Sequence, residues 1–149
     1  MIGLSVDSLG DRRTLVPIKQ LDNIGIAVKD VRRAAEFFRD KVGLPVELSL
    51  AGEPPSAQVT TGSQYLYVFE VKSSAAAAER HSDLIGNPPG FDHVSFTVDN
   101  VDQTYRELRD RGVAFDSEPV TEEAWGIRMA GFRDPEDNSY FLVQTLAPQ

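Results

Sequence analysis

Hydrophobic residues along the chain follow two periods, one of a strand and one of a helix, and the two alternate. Residues 21–28, LDNIGIAV, carry bulky apolar side chains at Leu21, Ile24, Ile26 and Val28, with Asn23, Gly25 and Ala27 between them. A period of two belongs to a strand with one buried face, and the small or polar partners imply that the other face lines something open or narrow. After a turn at Lys29 and Asp30 the period lengthens. Val31, Ala34, Ala35, Phe38 and Val42 recur at helical spacing, while Arg32, Arg33, Glu36, Arg39 and Asp40 point outward. Gly43 stands where such a helix should stop. Strands are then predicted at 44–50, 57–61 and 64–71. They are separated by the loop AGEPPS, whose prolines are excluded from a sheet interior, and by a turn at Gly62 and Ser63.

Residues 72–90 interrupt this order. Ala75 to Ala78 could form a helical turn, but Asn87, Pro88, Pro89 and Gly90 break regular structure before the next strand. The order then recurs. Residues 91–98, FDHVSFTV, put Val94, Phe96 and Val98 on one face and His93, Ser95 and Thr97 on the other. A helix is predicted over 101–111 with Val101, Tyr105 and Leu108 inward, a stop at Gly112, and strands at 113–118, 127–133 and 139–145. The last two flank DPEDN, which has the chemistry of a turn. His93 and Asn23, Val98 and Val28, Val101 and Val31, and Arg109 and Arg39 all lie 70 positions apart (93 less 23, 98 less 28, and so on). The reading is therefore an N-terminal extension at 1–20, a first βαβββ unit at 21–71, a linker at 72–90 and a second unit at 91–147. Neither unit can close a core alone, so the two should share one.

Composition narrows the function classes. With 149 residues, 41% hydrophobic and 26% charged, the chain has the balance of an ordinary globular protein. No apolar run reaches the roughly 20 residues of a membrane span, and the N-terminus lacks the apolar block of a secretory signal, so the expected compartment is the cytoplasm. The absence of cysteine removes disulfides, thiolate metal sites and cysteine nucleophiles. A formal net charge of -8 opposes nucleic-acid binding, which needs clustered Lys and Arg.

The paired openings LDNIGIAV and FDHVSFTV, the helix AAEFFRDKVGL and the ending AWGIRMAGFRDPEDNSYFLVQ resemble the vicinal-oxygen-chelate superfamily. That group includes glyoxalase I, extradiol dioxygenases, fosfomycin-resistance enzymes and bleomycin-resistance proteins, and the resemblance extends over 19–147. It implies an α+β fold of two tandem βαβββ modules forming a curved, open mixed sheet around a cleft, in a homodimer. The alternation and the repeat agree with that architecture independently. It further implies divalent-metal ligands at the third residue of each opening strand and in each final strand. Those positions hold Asn23, His93, Tyr67 and Phe141, so one histidine stands where about three ligands are needed. No cofactor is therefore expected. The alternative is a weak divalent-metal site of His93, Glu70 and Asn23, should Glu70 rather than Tyr67 face the cleft.

His93 is the candidate catalytic residue, as a general base or a hydrogen-bonding contact, against a reading as an ancestral remnant beside Asn23. Tyr67, Trp125 and Phe141 would line an aromatic ligand cleft. Arg128 would meet a ligand carboxylate or stack on an aromatic, although a surface role is commoner. The function expected is metal-free binding of an apolar or aromatic small molecule, of the sequestration or resistance kind. The alternative is a lyase, isomerase or dioxygenase using an irregular metal site or His93 as base.

Overall fold

The computed structural model describes residues 16–147, so the extension expected at 1–20 lies mostly outside the described residues. Two open mixed sheets carry the fold, each with a strand of the anticipated alternation at one edge. In the first, β1 (Asn23–Val28), β2 (Val46–Ser49), β3 (Ser56–Thr61) and β4 (Gln64–Glu70) lie in the order β1-β4-β3-β2, with β1 parallel to β4 and the other pairs antiparallel. In the second, β5 (His93–Thr97), β6 (Ala114–Phe115), β8 (Ile127–Arg133) and β9 (Ser139–Thr145) take the order β5-β9-β8-β6, and β7 (Val120–Glu122) extends the edge against β8. The helices α1 (Val31–Glu36) and α2 (Val101–Asp110) follow β1 and β5. This is the α+β architecture of two βαβββ units.

Both helices start by the same device. Asp30 and Asn100 accept hydrogen bonds from the backbone N–H groups of Arg33 and Gln103, each at 3.0 Å, as N-caps worth about 1 kcal/mol apiece. Val31 N–H donates to Glu70 at 3.1 Å, and Val101 N–H donates to Gln144 at 2.9 Å, so the last strand of each unit reaches across to hold its helix. Beyond Glu36 the first helix widens into a π-helical stretch, Phe37–Val42, where a regular helix was expected. The neighbouring rings of Phe37 and Phe38 are both buried, and the wider turn lets adjacent residues share one face. Gly43, at φ 84°, ends it.

The strand expected at 113–118 is shorter than its pattern suggests. After Phe115 the chain bulges through 117–119, where Pro119 has no N–H to give, and pairing with β8 resumes only at Val120. The linker forms no helical turn at Ala75 to Ala78; a short 3-10 turn, Leu84–Gly86, lies further on.

The core is shared by the two units. Phe38 packs edge-on against Tyr140 at 5.7 Å between ring centroids, and Tyr140 stacks on Phe132 at 5.3 Å and on Phe96 at 6.1 Å. Glu136, in the turn between β8 and β9, accepts from the backbone N–H groups of Lys29 and Asp30, tying that turn to the start of α1. Among the described residues no helix is long and apolar enough to cross a membrane.

Tyr140 is fully buried, yet its hydroxyl donates to Asp134 at 2.7 Å. Burial first, and then the neighbouring carboxylate, push its ionisation well above the ordinary tyrosine value, so the phenol remains a donor. Asp134 also accepts from the N–H groups of Glu136 and Asn138 and from the Asn138 amide, which makes the DPEDN turn a cage around one carboxylate. Asp134→Ala should therefore destabilise the fold by about 2–4 kcal/mol and Tyr140→Phe by about 1–2 kcal/mol. Urea unfolding measures both, and equal losses would contradict the cage.

Candidate functional site

Alternate residues of the opening strands turn away from the core, leaving Asn23, Gly25 and Ala27 on the open face of one sheet and His93, Ser95 and Thr97 on that of the other. A cavity of about 680 Å³ lies against this face. Its walls are β1, β5, the start of β9 and, from the linker, Ala77, Ala78 and Arg80. A second cavity of about 530 Å³, walled by inward-facing residues such as Ile24, Leu66, Val94 and Leu108, contains none of the candidate site residues.

At the first cavity the His93 side chain is 27% exposed, and its Nδ1 lies 2.7 Å from Asp92 Oδ2. Partial burial works against ionisation of Asp92, but hydrogen bonds from His93 and Asn87 and the charge of Arg80 outweigh it, so its carboxyl titrates below the usual range. An ionised carboxylate only accepts, so Nδ1 of His93 donates, and in the neutral imidazole the lone pair is then on Nε2. Among the described residues Nε2 has no hydrogen-bond partner.

Asp92 has a second set of contacts. Its Oδ1 accepts from Asn87 Nδ2 at 2.8 Å and from Arg80 Nη1 at 3.5 Å. Asn87 pairs in both directions with the backbone of His81, and Arg80 also donates to the carbonyl of Pro88. Arg133, ion-paired to Asp116 at 3.2 Å, donates to the Arg80 carbonyl. The same carboxylate thus orients the histidine and fastens the linker that walls its cavity.

The other candidates are distributed differently from the sequence expectation. Asn23 lines the cavity with His93, and its amide donates to Asp22 at 2.9 Å. Tyr67 does face the open side of its sheet, stacked on Phe69 at 5.5 Å, but it stands beside the cavity and does not line it. Phe141 is 2% exposed and packs edge-on to His93 at 4.6 Å, beneath the histidine rather than on the cavity wall. Room for that ring comes from Gly131, where a Cβ would fall 3.1 Å from Phe141 and 3.1 Å from Asp116 Oδ2.

Arg128 requires correction. Its guanidinium is held in a two-pronged pair with Asp102 of α2, both contacts at 2.8 Å, and it also donates to Thr121, because the pleat turns it to the helix side of β8. This bond, opposed by desolvation and reinforced by charge, holds the Asp102 carboxyl below its ordinary range. Trp125 sits in the turn Glu123–Trp125, is 44% exposed and lines neither cavity.

A divalent metal, which the resemblance implies, can be tested against these donors. Glu70 is corrected from the alternative set: it shares the inward face with Leu66 and Val68 and accepts from Val31 N–H at the start of α1. Phe141 places hydrocarbon next to His93. Among the described residues no three His, Asp or Glu side chains gather where they could hold an ion. The donors present do not fit a chelate, which needs about three protein ligands.

Sequence reasoning missed Asp92, Arg80, Asn87 and Ser139. Ser139 is the register partner of His93 in the β5–β9 pair and lines the cavity; it is 5% exposed, and its Oγ has no hydrogen-bond partner. A strand read from 91 onward would put Asp92 on the face opposite His93. Only the late start of β5 at His93 allows the two neighbours to meet.

The model of the Glyoxalase/Bleomycin resistance protein/Dioxygenase superfamily matches residues 20–140. The uncharacterized protein YraH of Bacillus subtilis (strain 168) is 30% identical over 128 residues, covering 85% of this chain and 99% of that protein. A glyoxalase/bleomycin resistance protein/dioxygenase from Nocardioides superposes with a TM-score of 0.70 at 18% identity, over 91% of this chain and 89% of that one. A glyoxalase family protein from Enterococcus faecalis gives 0.69 at 21% identity, over 85% and 98%. At those identities the two structures establish a shared fold.

The Asp92–His93 bond predicts the tautomer. In the neutral imidazole the proton should reside on Nδ1, and Asp92→Ala should shift it toward the Nε2–H form that free histidine prefers. Nitrogen-15 NMR of the two ring nitrogens reads this directly, and an unchanged spectrum in the variant would rule out the orienting role.

Proposed function

Since the chain belongs to the Glyoxalase/Bleomycin resistance protein/Dioxygenase superfamily, we propose that it binds an apolar or aromatic small molecule without a metal. The site is the cavity between β1, β5 and the linker. The observation that carries this reading is the cavity's make-up: small and apolar walls at Gly25, Ala27, Ala77 and Ala78, with polar groups gathered at His93, Ser139 and Asn23. Small-molecule sites combine such walls with a few fixed polar atoms that set orientation. The hydrocarbon of Phe141 beside His93 supports binding without a chelate. The role is sequestration, in a cytoplasmic homodimer.

A second reading rests on Asp92. A histidine whose Nδ1 is held by a carboxylate and whose Nε2 keeps its lone pair has the arrangement of a general base. On that reading the protein is a metal-independent lyase or isomerase acting on a ligand in the same cavity.

Elemental analysis of purified protein should find no stoichiometric Mn, Fe, Ni or Zn, and none of these ions should raise the melting temperature. A panel of flat apolar compounds should raise it, and His93→Ala should weaken their binding by about tenfold. Stoichiometric metal bound through His93 would overturn the metal-free reading. Turnover of a bound compound that His93→Ala abolishes would establish the enzymatic one.

A further inference from the structure

The polar end of the cavity is more specific than a generic apolar site requires. Ser139 Oγ is buried, lines the cavity and has no partner, an arrangement that costs stability unless a bound molecule completes it. Ser139 and His93 are partners in the parallel β5–β9 pair, so the hydroxyl and the imidazole stand side by side on one face. In the neutral imidazole His93 Nε2 offers a lone pair, because Nδ1–H donates to Asp92. An acceptor and a hydroxyl that can donate are therefore adjacent, the complement of a group that both donates and accepts.

Charge narrows the ligand further. Arg80 is the one cationic side chain on the cavity wall among the described residues, and its guanidinium is engaged by the Pro88 carbonyl and Asp92, leaving the side chain 10% exposed. Asp92 is engaged in turn by His93, Asn87 and Arg80. Asp137 adds an exposed carboxylate at the rim. The one cation there is already engaged, and the carboxylate left for a positive ligand, Asp137, is exposed at the rim, where solvent screens it.

Shape supplies the last constraint. Gly25, Ala27, Ala77 and Ala78 give small side chains to a wall that Leu21, Ile24, Ile26 and Val94 make apolar, and Phe91, fully exposed, adds an aromatic ring to it. Resting on the small-molecule reading above, we infer that the cavity takes an uncharged aromatic molecule bearing a hydroxyl, a phenol in chemical class. Its O–H donates to His93 Nε2 and its oxygen accepts from Ser139 Oγ. The ring lies against that apolar wall and Phe91.

Four probes of one shape test this on the full chain by isothermal titration: 2-naphthol, 2-methoxynaphthalene, 2-naphthoate and (2-naphthyl)methylammonium. The naphthol should bind at least about tenfold more tightly than each of the others, the cost of leaving a buried polar group unpaired. Ser139→Ala, whose melting temperature without ligand should not fall because it removes an unpartnered buried hydroxyl, should bring the naphthol down toward the methyl ether and leave the ether itself unaffected. Equal binding of naphthol and ether, or tighter binding of either charged probe, would overturn the hydroxyl selectivity while leaving a small-molecule site in place. Binding of no probe by folded protein would overturn the site as well.

Discussion

The burial of Tyr140 determines which side of the second sheet faces the cavity. Its ring forms a three-membered cluster with Phe132 and Phe96 and is met edge-on by Phe38 from the other unit, and its hydroxyl is bonded to a carboxylate that the following turn encloses. Few residues are so completely specified. Once Tyr140 points inward, the pleat obliges Ser139 and Phe141 to point the other way, and register carries the same decision to His93 and Ser95 in β5. The open face is thus a by-product of a core contact.

Asp92 links that rigid face to the mobile-looking composition of the linker. A segment of alanines, serines, glycine and prolines has little apolar surface with which to dock, so its position depends on a few directed bonds. Arg80 and Asn87 supply them, both ending on the carboxylate that holds His93. Arg133, reaching from β8, adds a third anchor through the Arg80 carbonyl. The result is one charge network serving two ends: it closes the cavity and it sets the tautomer of the histidine inside. A carboxylate with both oxygens engaged holds its partners stiffly.

The positions at which the family resemblance implies metal ligands make other contacts here. Phe141 supports His93 from below, and Gly131 leaves room for its ring. Tyr67 stacks on Phe69 along the open face of its sheet. Glu70 and Gln144, one at the end of each unit, hold the helix starts. The symmetry of the repeat survives in these structural contacts, while the two opening strands differ in the residue that meets the cavity, Asn23 on one side and His93 on the other.

Periodicity placed the two units, most of their strands and helices and the open face of the two opening strands, because a hydrophobic alternation is a local property that the pleat converts directly into inside and outside. It placed His93 and Asn23 on the open face for that reason, and Gly43 at the helix end for another: few other residues adopt its positive φ readily. Tertiary structure decided which of those outward residues meet. Arg128 went to Asp102 because the pleat of β8 and the position of α2 brought two charges together from 26 residues apart. Phe141 became a support because a glycine on the neighbouring strand left space beneath the histidine. Asp92, unremarkable in a strand beginning at 91, became the orienting group because β5 begins at His93 and the residue before it escapes the pleat. Each of these outcomes depends on distance in space between segments far apart or on where a strand starts, and neither is encoded in the period of the chain.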